Sequence, residues 1–356
     1  MKKQIFILVF LVVATFASVT KSYGQAIAPT VVAPRPLTIV DTPLAPFAGK
    51  PYNYSAVINP VGGNAYWYAT KSTTFMTAGA RPVGIELPVS ATSILAGATN
   101  YMTLAAAATT PTSTTITWTS DVLNGVNATT APMFVVVEYN GPVCTTSNNV
   151  KVIQIIPQNA FTIDLTNMTH GGPVALPYGT AENQCYAGIV SSSWASATGV
   201  TNNYGVNILY FELVAANFTD AFKPTFKLTG VKGTQTAAID WGTTIGTYGN
   251  SAGTGIALAA MPYTSPQQTV TTSLTNTTGG AAIYIRVTIT NNGYEGLTAD
   301  PITLAVDATD NSVVPNPDVN PDGTAKAAFS ELALQTLDAR PTVTAGVGVT
   351  FVAQVP

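Results

Sequence analysis

Short apolar runs of period two, cut apart by Gly, Pro, Asn and Thr, make up most of this 356-residue chain. The clearest is 281–291, where Ile283, Ile285, Val287 and Ile289 alternate with Tyr284, Arg286, Thr288 and Thr290. Such alternation sets one face of a strand on a core and the other toward solvent. From Met133 to Val137 the chain is apolar without a break. That predicts an interior strand covered on both faces. Both parities are largely apolar in 207–215 as well, so this strand is also expected inside its sheet. Further strands are predicted at 52–58, 65–69, 84–87, 100–104, 114–120 and 149–156. A second set follows at 161–165, 186–190, 225–229, 237–241, 269–273 and 302–307. One helix is predicted, over 324–337, from an imperfect stripe of Phe329, Leu332 and Leu337.

Pro157-Gln158-Asn159 reads as a short linker between the two strand sets. The expected fold is therefore all-β, with tandem Ig-like antiparallel β-sandwich domains. The first would cover 25–157, with a Pro-rich N-terminal extension, and the second, larger one 158–356. Trp67 and Trp118 are expected core residues. The Cys–Trp–Cys spacing of antibody domains is absent, so the expectation concerns architecture alone.

The last segment differs from the rest. Val343, Ala345, Val347, Val349, Phe351, Ala353 and Val355 occupy every odd position, and no charge follows Arg340. Thirteen residues at ~3.3 Å each would span roughly 43 Å, long against the usual five or six residues. Such a strand must pair. It either closes the second sandwich or is given to a neighbouring subunit by strand addition, with Val343, Val347, Val349, Phe351 and Val355 as the assembly residues. Gly346 and Gly348 would weaken it in isolation.

The first 24 residues break the β pattern. Lys2 and Lys3 precede an apolar run over 5–17, and the small residues Ser22 and Gly24 precede Gln25. This is the form of a cleaved secretory signal peptide, too short to span a bilayer. No cysteine lies near the cleavage site, which argues against a lipid anchor. Removing residues 1–24 takes away Lys2, Lys3 and Lys21, leaving 11 basic and 17 acidic residues, a net charge of −6. That balance excludes a nucleic-acid role, which needs clustered Lys and Arg. Charged residues make up only 9% of the chain, against about 25% ordinarily. No second run approaches ~18 apolar residues, so no transmembrane segment is expected in the mature chain. Thr, Ser, Asn and Gln must then solvate the surface. Little charge repulsion between copies suits a protein that packs against itself.

Cys144 and Cys185 form a candidate disulfide in an oxidising compartment, where closing the loop would stabilise by roughly 4 kcal/mol. The alternative is two separate thiols. Asp318, Asn320 and Asp322 stand in a D-x-N-x-D-G run ending at Gly323, the form of a calcium loop. Position twelve is Phe329 rather than an acid, and the alternative is an acidic turn. No other cofactor is expected. Gly249-Asn250-Ser251-Ala252-Gly253 matches a nucleophile-elbow pattern, but the one histidine, His170, precedes it. A Gly-rich hairpin loop is the expectation there, and a solvated loop for His170. Glu86, Glu138, Glu212 and Glu295 are scattered without pairing. No catalytic residue is assigned, and the protein is expected not to be an enzyme.

Three stretches resemble secreted multi-domain Ig-like surface proteins of Bacteroidota. They are the signal peptide end Tyr23-Gly24-Gln25, the run Glu138-Tyr139-Asn140-Gly141-Pro142-Val143-Cys144 leading into 152–156, and the run from Leu209 to Thr219. The resemblance implies a surface or structural role and supplies no catalytic residues. The expected function is an extracellular structural protein, a subunit of a cell-surface filament, sheath or adhesin assembly. Its partners would be copies of itself or other surface proteins. The alternative is a secreted glycan- or ligand-binding module, with Tyr66, Trp67, Tyr68 and Trp194 as an aromatic platform.

Overall fold

The computed structural model describes residues 35–87, 102–104, 113–124, 126, 128–142, 148–171, 173–196, 199–272 and 280–342. Its elements are nearly all strands, arranged as tandem Ig-like β-sandwiches. The segment 343–355 and Cys144 lie outside the described residues.

The first sandwich contains β1 (Pro51–Ser55), β2 (Asn64–Thr70), β3 (Met102–Leu104), β4 (Ser113–Trp118), a one-turn helix α1 (Ser120–Leu123), β5 (Met133–Asn140) and β6 (Asn148–Ile155). One sheet has the order β1-β4-β3 and the other β2-β5-β6. Tyr52, Tyr54, Trp67, Ile116, Trp118, Val135 and Val137 meet between them as one core cluster. The Trp118 indole donates to the Tyr54 hydroxyl at 3.1 Å, and Tyr54 donates to the Pro43 carbonyl at 2.7 Å. The polar atoms of these two buried rings thus have partners. β5 is interior and covered on both faces, as its unbroken apolar run requires. The connection after β2 lies over its outer side, with Phe75 edge-on to Phe134 and Arg81 stacked on Tyr66 and bonded to Glu86 and Glu138. Residues 84–87, expected as a strand, belong to that cover and form no strand.

The second sandwich contains β7 (Thr162–Met168), β8 (Glu182–Cys185), β9 (Ser191–Ala195), β10 (Gly199–Asn203), β11 (Val206–Ala216), β12 (Ala221–Thr229), β13 (Thr236–Gly242), β14 (Asn250–Ala257), β15 (Tyr263–Thr264), β16 (Val270–Thr271), β17 (Ala281–Thr290), β18 (Asp300–Asp310) and β19 (Glu331–Asp338). Its sheets run β14-β13-β17-β11-β7 and β15-β12-β18-β19-β8, with β16 also on β12. Ile283, Ile285, Val287 and Ile289 of β17 face Phe222, Phe226, Leu304 and Val306 across a single core. β11 lies between β17 and β7, which accounts for its apolar residues on both faces. Pairing is antiparallel except for β8 beside β19, which is parallel.

Two expectations are corrected. The helix predicted over 324–337 is replaced by a turn and β19. Phe329 takes a positive φ of 57°, which ends any helix, and Glu331, Ala333, Gln335 and Leu337 alternate inward. Residues 186–190 are no strand but join β8 to β9, held by the Tyr186 amide on the Asp338 carbonyl and the Val190 amide on the Asn203 carbonyl.

Candidate functional site

Where β7, the edge of one sheet, meets β19 of the other, the two sheets close on each other around charge rather than hydrocarbon. Asp164 and Glu331 are buried strand residues on either side of this seam, and Asp318 lies buried in the loop between β18 and β19. The Lys326 ammonium sits among them, 3.1 Å from Asp318 and 3.0 Å from Glu331, and donates to the Ile163 carbonyl. Glu331 also accepts from the Leu165 amide at 3.1 Å. Burial pushes the Asp318 carboxyl above its ordinary pKa, against the pull of Lys326.

The remaining cation comes from far away in sequence. Arg35 reaches Asp164 at 2.7 Å and Glu331 at 3.1 Å, and its backbone amide donates to Asp164. Its side chain stacks on Tyr178, 3.7 Å from the ring centre. Partial burial lowers the Arg35 pKa, but the hydrogen bond and charge of Asp164, with the charge of Glu331, outweigh it and raise the value. Burial and then Glu331 push the Tyr178 hydroxyl up to about 12. Residues 35–40 alternate half-buried and exposed along this seam, and the Thr38 amide donates to the Pro321 carbonyl at 2.8 Å. The extension that precedes the first sandwich is therefore bound to the second.

The same seam holds the D-x-N-x-D-G run. Asp318 faces Lys326. Asn320 donates to Thr324, and Thr324 donates to Asp322 at 2.6 Å, holding that exposed carboxyl below its ordinary pKa. Gly323 has φ +78°, and a Cβ there would lie 2.7 Å from the Ile39 side chain. The glycine thus serves both the turn and the close approach of the N-terminal segment. Among the described residues, no three His, Cys, Asp or Glu side chains are grouped to hold a metal.

A second arrangement lies where the sandwiches touch. Asp310 at the end of β18 accepts from the Ser312 amide and hydroxyl and from the Asn316 amide and side chain. The loop it orders meets α1. Asp121 accepts from the Val313 amide at 2.7 Å, and the Asn124 side chain donates to the Val314 carbonyl. The Asn159 side chain donates to the Pro317 carbonyl at 2.8 Å. A cleft of about 130 Å³ remains between Ala48, Leu123, Asn159 and Phe161.

The other sequence candidates are dispersed. Trp67 and Tyr68 are buried, Tyr66 lies half open under Arg81, and Trp194 stands 64% exposed on the β9–β10 hairpin of the other sandwich. The four do not make one platform. Ser251 is an exposed residue of β14 rather than part of a hairpin loop, and His170 lies in an exposed turn. Cys185 is exposed at the end of β8. The seam is not legible in the sequence: Arg35, Asp164, Lys326 and Glu331 are separated by up to 296 residues. The one local signal was acid or lysine in otherwise strand-like segments.

No protein-family model and no curated protein matches the sequence. Among solved structures, the chain is similar at 12% identity to the N-terminal domain of PorA, over 49% of this chain and 96% of that one, with a TM-score of 0.24. It is similar at 10% identity to the collagen-binding domain of the Erysipelothrix rhusiopathiae surface protein RspB, over 82% of this chain and 85% of that one, with a TM-score of 0.16. Scores this low carry no argument about function. The class stated here, an all-β protein of tandem Ig-like sandwiches, rests on the sheets themselves.

Proposed function

We propose that the protein is an extracellular structural subunit, a stiff two-sandwich unit of a cell-surface filament, sheath or adhesin assembly. The observation that supports it best is the joint. Asp121, Asn124 and Asn159 bond backbone groups of the other sandwich or its approach, where a flexible linker would leave such groups to water. The segment bearing Arg35 adds a second tie, from the start of the first sandwich to the β7–β19 seam. A spacer held at two places transmits force and keeps a set length. Export is carried by the signal-like residues 1–24, and the low charge suits packing against copies. Among the described residues no helix is long and apolar enough to cross a membrane. No catalytic role and no cofactor enters this reading.

Ligand binding has one observation in its favour. Trp194 and Val200 face each other across a hairpin that pairs with no other strand among the described residues. An exposed indole of this kind stacks on sugar rings or docks on protein. Electron microscopy of the producing cell with and without the protein separates the two. Loss of a surface layer or filament supports the structural role. An unchanged surface, with glycan binding abolished by Trp194→Ala, supports the other.

A further inference from the structure

The first sandwich has one side that its own described residues leave unfinished. β1 pairs with β4 alone and β6 with β5 alone. The free edges of β1 and β6 flank one groove, about 500 Å³ in volume, lined by Ala56, Ile58, Val137, Tyr139, Val150 and Ile153. The chain preceding β1 closes only one end of this side. There the Ile156 amide donates to the Leu44 carbonyl at 2.7 Å. Before Leu44 the chain departs for the other sandwich, where Thr38 and Arg35 are held.

The backbone at this edge is set to receive a strand. The Ile156 amide points outward, so by the two-residue alternation the amides of Val150, Val152 and Gln154 face the same way. The Val150 amide is met by its neighbour's own side chain, Asn149 Oδ1, at 2.8 Å. Lys151 lies on the same edge. A short side-chain cap and a lysine are the devices by which an edge resists indiscriminate pairing.

We propose that this groove accepts the segment 343–355 of a second copy of the chain, so that subunits join head to tail. The inference rests on the structural reading above and names its contact. The segment has what the groove asks for: apolar side chains at every second position, small or polar residues between them, and no charge. Where it starts decides which copy it reaches. β18 ends at Asp310, beside the joint, and β19 runs antiparallel to it, from Glu331 opposite Val306 to Leu337 opposite Asp300. β19 therefore carries the chain away from the first sandwich by about 26 Å for its eight residues. At that distal end Arg340 is anchored on the carbonyls of Ala187, Tyr204 and Tyr294. The segment leaves from the end of the molecule opposite its own groove. A neighbour's groove continues the line, and a contact between unlike surfaces of identical copies adds subunits one after another, into an open filament or, where the rotation between neighbours closes, a ring.

Mixing two variants tests this. Ile58→Arg fills the groove with charge, and Val349→Asp puts charge on the donated face. Val152→Pro is a second groove variant. It removes an amide that faces the free edge, which an edge strand tolerates in its own sheet. Circular dichroism checks that each variant keeps its β spectrum. Wild type is expected to form particles of many chains, and each variant alone to remain a single chain. An equal mixture of Val349→Asp with either groove variant restores one junction and stops at two chains. A mixture that stays at one chain, or variants that assemble as wild type does, overturns the assignment and leaves the structural reading standing. Wild type that stays a single chain overturns both. A Val349→Asp chain that loses its β spectrum shows the segment closing its own sandwich, which also overturns the assignment.

Discussion

Lys326 is almost fully buried between Asp318 and Glu331, and Arg35 supplies the only other cation described in that seam. Removing one partner of a buried ion pair leaves charge without compensation. Lys326→Met is therefore expected to cost about 3–5 kcal/mol in urea unfolding. Asp318 behaves differently, because its folded pKa lies above the ordinary 3.8. A raised folded value means that the unfolded chain releases this proton first as pH rises. The stability from protonated Asp318 is full below about pH 3.8 and is lost as pH climbs through the folded value. Wild type should thus lose stability relative to Asp318→Asn over that interval. Denaturant melts between pH 3 and 7 measure this, and wild type gaining on the variant would show that the Lys326 pair dominates burial. At this scale the sequence displayed the Asp318, Asn320 and Asp322 pattern but hid its partner. Lys326, in the loop before β19, reaches the Asp318 carboxylate only once the fold brings Glu331 and the Ile163 carbonyl beside it.

Strands with a clean period were legible. β17, β5 and β11 sit where their apolar positions put them, since burying one or both faces is the force that forms them. β19 was not legible, because Glu331 and Gln335 point into a polar seam and read as a helix's solvent face. β9 is fully exposed and Ser-rich, and β10 is largely exposed with Thr and two Asn, so no hydrophobic alternation marks them. The segment around Arg35 gave no hint of its docking, which depends on carboxylates more than a hundred residues away. Arg35→Ala should lower the stability of the second sandwich by about 1–3 kcal/mol, after allowance for the partial exposure of the pair. Fluorescence of Trp241, buried in that core, during denaturation reads it. An effect confined to the first sandwich would contradict the docking. Asp310→Ala should disorder the loop that meets α1 while leaving both cores folded. Small-angle scattering should then show a broader range of inter-sandwich distances, and an unchanged profile would remove Asp310 from the joint.

For the whole molecule, tandem sandwiches were readable from the spacing of strands and turns, because each sandwich is assembled mainly from neighbours in sequence. The joint and the tie through Arg35 were not, since both depend on which ends of two folded units face each other. In the proposed role, those long-range contacts would hold the two sandwiches as one stiff unit, and a low-charge surface would let copies pack. The most direct test is the mass of the purified protein by light scattering over a wide concentration range at physiological salt. The account predicts particles heavier than one chain whose mass grows with concentration. A single-chain mass at every concentration would contradict it.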